Sequence, residues 1–220
     1  MNESSIAPVS TTVGLPRINE PAPAFEALTT HGTKRLSDYE GKWLVLFSHP
    51  ADFTPVCTTE FVAFAKQAET FRDLGTELLG LSIDSHFAHI AWVRNIKEKF
   101  GVDIPFPIIA DLSMEVARAY GMLQPGASDT SAIRATFLID PKGVLRAMVY
   151  YPMSNGRSVA EILRLLRALQ TSDEHKVATP EAWEPGDEVI VPPPATAQAA
   201  EQRVAEDAGA VDWYFSKRPL

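Results

Sequence analysis

Three short apolar runs constrain this chain more than any other feature: residues 43–47 (WLVLF), 77–83 (ELLGLSI) and 106–110 (FPIIA). Each is long enough for a buried strand and too short for a helix. Helical stripes separate them. Phe61, Phe64, Ala65, Ala68 and Phe71 share one face and stop at Gly75; Ile90, Val93, Ile96 and Phe100 form a second stripe ended by Gly101. Residues 113–120 fit a short helix with Ser113 as its cap. Residues 135–139 and 144–151 flank Asp140-Pro-Lys-Gly143, a turn sequence that predicts a hairpin. Ser158 then caps a helix whose apolar face is Val159, Ile162, Leu163, Leu166 and Leu169. Strands alternating with helices, closed by a hairpin and a helix, predict an α/β fold with a mixed central sheet covered on both faces.

The ends of the chain differ in character. The first twenty residues are rich in Ser, Thr and Pro and read as a mobile or edge segment. Beyond Lys176 the chain is Pro-rich, with a short strand expected at 188–191 and an alanine-rich stretch, 195–210, that is helical or loose. It closes on VDWYFSKRPL, aromatic and basic, which reads as an arm packed on a partner subunit or on its own domain.

Charge and cysteine usage narrow the function. The 20 Lys and Arg against 28 Asp and Glu leave a net charge of −8, which argues against a nucleic-acid backbone or an anionic membrane as partner. With one cysteine, Cys57, neither an intrachain disulfide nor a cysteine-cluster zinc site can form. His86 and His89 lie close together with no further ligand nearby in sequence, so they read as helix-surface residues and no metal is expected. No basic, apolar leader opens the chain, and no apolar run approaches the roughly 20 residues of a spanning helix. The expectation is a cytoplasmic protein in a reducing compartment, where a lone thiol stays a thiol.

The chemistry concentrates in residues 48–60, SHPADFTPVCTTE. Cys57 follows a buried strand and opens an amphipathic helix, where free N–H groups and the helix dipole stabilise a thiolate. Thr54, three positions earlier, can aim a hydroxyl at the same point, and Pro50 and Pro55 stiffen the loop. A thioredoxin-type disulfide reductase is disfavoured, since it needs a Cys-x-x-Cys pair.

Pro50, Thr54 and Cys57 form Pro-x-x-x-Thr-x-x-Cys, which resembles the active-site motif of the peroxiredoxins. FSHPADFTPVCTTE, LGLSIDS, FPIIAD, RATFLIDPKGVLR and YYPMSNGRSVAEILR resemble the one-cysteine branch, and TPEAWEPGDEVIVPPP and DWYFSKR resemble its C-terminal extension. The resemblance implies a thioredoxin-like domain over 14–176 and an extension over 177–220 that acts as a dimerisation arm. It implies a thiol-dependent peroxidase, without cofactor, that reduces hydrogen peroxide and organic hydroperoxides through a sulfenic acid at Cys57 in antioxidant defence. By the same resemblance Thr54 and Pro50 shape the site, Arg134 stabilises charge beside Cys57, and Arg157, His49 and Glu60 support it. Lacking a second cysteine, the sulfenic acid requires an external thiol: thioredoxin, glutaredoxin with glutathione, or a small dithiol. A homo-oligomer, a dimer or a dimer-based assembly, is implied as well. The alternative from another class is a holdase-like or peroxide-signalling protein with little turnover. Some relatives are described as phospholipases through a Gly-x-Ser-x-Gly-like stretch; here Lys42 stands where the serine would be, and that activity does not carry over.

Overall fold

The computed structural model describes residues 15–124, 126, 131–207 and 209–220; part of the Ser/Thr/Pro-rich opening therefore lies outside the described residues. The chain forms two compact units that divide between Arg157 and Ser158.

The first unit is built on a seven-stranded sheet. Its strands are β1 (Glu26–Thr29), β2 (Gly32–Arg35), β3 (Trp43–Ser48), β4 (Thr76–Ser82), β5 (Ile108–Ala110), β6 (Arg134–Ile139) and β7 (Leu145–Tyr151). They lie in the order β2-β1-β5-β4-β3-β6-β7. β3, β4 and β5 are parallel, and the remaining pairings are antiparallel. The three apolar runs are thus the parallel centre of the sheet, where burial on both faces calls for continuous apolar sequence. All six residues of β3 are buried. The mixed α/β sheet expected from the alternation is present. So is the predicted hairpin: β6 and β7 pair antiparallel, and Gly143, at φ 75°, donates its N–H to the Asp140 carbonyl at 2.9 Å. Residues 19–21 run along this hairpin, where Asn19 and Glu20 bond to Leu145.

The helices are α1 (Pro55–Lys66), α2 (Ala68–Asp73), α3 (His86–Phe100) and α4 (Glu115–Ala119). Cys57, Phe61 and Phe64 line the buried face of α1, and Phe64 stacks on Phe47 of β3 at 4.1 Å between ring centroids. Each phenylalanine sealed this way contributes about 2–3 kcal/mol of burial. Gly80 on β4 permits the close approach: a Cβ there would lie 3.1 Å from the Phe61 ring.

Three local expectations need correction. The single helix expected through Phe71 is two, joined at Gln67, which leaves helical backbone geometry. Ser113 does not cap α4; Met114 does so positionally in a left-handed conformation, while Asp111 accepts the N–H groups of Val116 and Ala117. On α3 the buried residues are His89, Trp92 and Ile96, whereas Ile90 and Phe100 are 42% and 57% exposed. The helix is rotated from the purely apolar stripe because a buried polar partner, described below, holds His89 inward.

The second unit contains α5 (Val159–His175), β8 (Val189–Ile190), α6 (Ala197–Glu206), β9 (Ala210–Asp212) and β10 (Phe215–Arg218). The Ser158 hydroxyl caps α5 by accepting the Glu161 N–H, as the sequence predicts. The three strands form a sheet in the order β8-β10-β9, and Ala168, Val177, Trp183 and Val189 make a small core. The alanine-rich stretch is helical over α6, with Thr196 as its cap. Among the described residues no helix is long and apolar enough to cross a membrane.

Candidate active site

The site forms at the carboxyl ends of the parallel strands, where an α/β sheet leaves its loops free to converge. β3 delivers Ser48, and the chain then runs through His49, Pro50, Asp52 and Thr54 into α1. The antiparallel register Phe47↔Thr136 places the start of β6, Arg134, at that same end. The β7 register Arg134↔Tyr151 brings the following loop, with Met153 and Arg157, there too. Ser48 locks the juxtaposition: its hydroxyl donates to the Ile133 carbonyl (2.5 Å) and accepts from the Ala135 N–H (3.0 Å), gripping the residues on either side of Arg134.

Cys57 is the third residue of α1, in the turn whose backbone N–H groups lack helical partners. Its side chain is 0% exposed. Arg134 Nη1 donates to Sγ at 3.3 Å and to Glu60 Oε2 at 2.7 Å. The Arg134 Nε and Nη2 both donate to the Met153 carbonyl, at 2.9 and 2.7 Å. Arg157 holds the other side of Glu60: its backbone N–H and Nε donate to Oε1, and Nη2 donates to Oε2, all within 2.9 Å. Arg157 Nη1 donates to the Ala135 carbonyl (2.8 Å), and its guanidinium lies 5.5 Å over the Phe47 ring. Burial pushes the Glu60 carboxyl up, but hydrogen bonds from Arg157 and the charges of both arginines outweigh it and hold the group below the usual carboxylate range. Two guanidinium groups on one carboxylate leave a net positive centre beside the sulfur, which stabilises negative charge there.

Thr54 occupies the N-cap position, yet its hydroxyl donates to the Ala51 carbonyl at 2.9 Å instead of capping the helix. Pro50 is buried. Six of the seven residues singled out from the sequence thus join one connected region: Cys57, Glu60, Arg134 and Arg157 through direct bonds, Pro50 and Thr54 through the loop that leads to them. The seventh, His49, belongs to a neighbouring cluster that sequence reasoning missed. His49 Nε2 lies 2.8 Å from Asp52 Oδ1, and His89 Nδ1 lies 2.7 Å from Asp52 Oδ2. His89 is therefore not a helix-surface residue. It is fully buried, while His86, one turn earlier, is half-buried. The pairing joins positions 37 apart in sequence, so no local pattern announces it. Donor atoms of His49, Asp52 and His89 lie within 4.8 Å of one another, and hydrogen bonds between them satisfy those facing atoms without an ion.

A buried cysteine in a helix's first turn, an arginine on its sulfur and a carboxylate bracing that arginine thus come together in one place. Comparison with known proteins identifies the family. Residues 18–148 match the AhpC/TSA family, and residues 168–206 match the C-terminal domain of 1-Cys peroxiredoxin. The chain is a 1-Cys peroxiredoxin of the AhpC/TSA family. It is 57% identical to a peroxiredoxin of Aquifex aeolicus over 94% of this chain and 99% of that protein. A yeast mitochondrial 1-Cys peroxiredoxin, whose thiol is resolved via glutathione/thioredoxin systems, superposes with a TM-score of 0.81 at 37% identity, over 94% of this chain and all of that one. A cysteine-to-serine mutant of peroxiredoxin 6 from Arenicola marina gives the same TM-score at 36% identity, over 93% and 99% of the two chains. The mixed sheet that the alternating pattern predicted is present, its thioredoxin-like fold is the one the family resemblance implied, and this peroxiredoxin is a thiol-dependent peroxidase.

Proposed function

We propose that Cys57 is the nucleophile of a peroxidase acting on hydrogen peroxide and organic hydroperoxides, and that an outside thiol completes its cycle. The observation that carries this is the 3.3 Å contact between Arg134 and the sulfur of the chain's one cysteine. The Cys57 thiolate attacks one peroxide oxygen, and an S–O bond forms as the O–O bond breaks. The second oxygen leaves as hydroxide or alkoxide and takes back from solvent the proton the thiol released on ionising, giving water or an alcohol. Negative charge moves from sulfur onto the leaving oxygen, and Arg134 is placed to stabilise both ends of that shift. Glu60 and Arg157 hold the guanidinium in place. Thr54 has committed its proton to Ala51, so it meets a peroxide O–H as an acceptor. Pro50 shields the site from bulk water, and His49 assists from the next cluster.

Two equivalents of thiol then restore the enzyme. The first displaces water from the sulfenic acid to form a mixed disulfide; the second releases Cys57 as a thiol and leaves with the first as a disulfide. Thioredoxin, glutaredoxin with glutathione, and small dithiols all fit this chemistry. Because Cys57 is fully buried, a thiol larger than peroxide reaches it only when the first turn of α1 opens. Excess peroxide without thiol therefore drives Cys57 on to sulfinic and sulfonic acid, with activity lost in step. Intact-mass spectrometry during a peroxide titration checks this, with successive oxygen additions expected on the Cys57 peptide. A Cys57–Cys57 linked dimer that dithiols fully recover would overturn resolution by an outside thiol.

The same reading divides the chain into a catalytic domain, 14–176, and an association arm, 177–220, that joins a homodimer. Exposed Val211, Trp213 and Tyr214 in the arm support it, as apolar area of the kind that subunit contacts bury. Removing residues 177–220 is expected to weaken association more than Cys57 oxidation, because Cys57, Arg134 and Glu60 all precede it. Sedimentation of the truncated protein at matched concentration tests this; an unaltered oligomer distribution would assign the arm to its own subunit.

A further inference from the structure

The His49–Asp52–His89 cluster contains a proton arrangement that can be counted from its geometry. A carboxylate only accepts, so with Asp52 ionised the nitrogens facing it, His49 Nε2 and His89 Nδ1, each carry a hydrogen. His89 Nε2 lies 3.1 Å from the Ile109 carbonyl, which also only accepts, so that nitrogen carries a hydrogen as well. His89 and Asp52 together hold one cation and one anion, or share the proton between them, and the pair is neutral either way. His49 Nδ1 is buried and has no hydrogen-bond partner. A proton there would be a buried charge with nothing to donate to, whereas a bare nitrogen is a neutral acceptor. Moving the shared proton onto His49 instead would leave a bare His89 nitrogen facing an acceptor and put an N–H on His49 Nδ1 with nothing to donate to, the costlier arrangement.

We propose that His89, acting through Asp52, is a positioning residue that fixes His49 as the tautomer with hydrogen on Nε2 and a bare acceptor at Nδ1. The inference rests on the supporting role given to His49 above and deepens it. His49 packs edge-on against Phe61, 4.7 Å between centroids, and Phe61 sits one turn after Cys57 on the same face of α1. An acceptor held there without a donor is available to a hydrogen that arrives during turnover, on a peroxide or a thiol. His89 contributes in two ways. It occupies Asp52 Oδ2, so the carboxylate cannot swing away from His49, and its charge cancels that of Asp52, so no second proton is drawn onto His49. Of the other charged groups around His49, Asp84 adds a weak pull toward the charged imidazole and the rest are paired. Asp84, just past the end of β4, accepts the Asp52 backbone N–H and the Ser82 hydroxyl, while Glu60, Arg134 and Arg157 are paired with one another. Burial acts in the same direction, pushing the His49 imidazole below its ordinary value against the pull of Asp52.

The test is 15N NMR of histidine-labelled protein at neutral pH, in the wild type and in His89→Gln, which keeps an amide donor toward Asp52 but removes the positive charge. In the wild type, His89 is expected to show two protonated nitrogens and His49 one, at Nε2. In His89→Gln the uncompensated Asp52 draws a second proton onto His49, the bare Nδ1 signal is lost, and the rate constant for Cys57 oxidation falls by about 10-fold, as expected for a misplaced supporting group. A bare nitrogen on wild-type His89 overturns the proposal even if the variant does not fold. An unchanged His49 spectrum or an unchanged oxidation rate in a folded variant overturns it too, as does stoichiometric zinc in the purified protein, since a metal would replace the shared proton. The spectra need no turnover, so they decide the tautomer independently of whether Cys57 is the nucleophile.

Discussion

Cys57→Ser abolishes thiol-dependent peroxide reduction while the protein remains folded. The hydroxyl is close in size to the thiol and fits the same buried space at the start of α1, so packing around Phe61 and Phe64 is retained. What disappears is the nucleophile. A serine hydroxyl is not appreciably ionised near neutral pH, even with the Arg134 guanidinium beside it. The chain has no other cysteine to substitute for it. Peroxide consumption under steady reductant, read beside a thermal melt of the same preparation, measures the effect. Turnover close to that of the wild type would sink the assignment of Cys57.

Arg134→Ala lowers the rate constant for Cys57 oxidation on the order of 10²–10³-fold, the cost of removing a donor aimed at developing charge. The site is expected to survive the loss in shape, because Glu60 keeps its three contacts to Arg157. The Met153 carbonyl, only partly buried, loses both of its guanidinium donors, and a net hydrogen bond of this kind is worth about 0.5–1.5 kcal/mol. A modest fall in melting temperature should therefore accompany the large kinetic effect. Stopped-flow measurement of peroxide reacting with reduced protein separates the two. A rate constant that does not change would make Arg134 a purely structural residue.

The arginine shows well how the sequence and the fold divide the work. That residue 134 opens a strand follows from the apolar run behind it and the Asp140–Gly143 turn ahead, both local patterns. That it meets Cys57, 77 positions earlier, depends on β6 lying antiparallel to β3 in the register that sets Thr136 opposite Phe47. The motif resemblance bridged that gap for Arg134 and Arg157. Nothing comparable bridged it for Ser48, Asp52 or His89, whose partners lie on other elements.

The sequence by itself determined the elements whose patterns are local: the parallel strands from their continuous apolar runs, the hairpin from its turn residues, α5 from Ser158 and its apolar stripe, and the lone thiol from the cysteine count. Only the tertiary structure decided which face of α3 is buried. Apolar periodicity assigned Ile90 and Phe100 to the interior, yet the helix turns His89 inward, because its two ring nitrogens find Asp52 and the Ile109 carbonyl there. A buried polar side chain is tolerated where its hydrogen bonds are completed, and those partners come from a loop and a strand far away in the chain. Hydrophobic burial is summed over residues a turn apart and can be read along one segment; hydrogen-bond completion depends on atoms that only folding brings within reach.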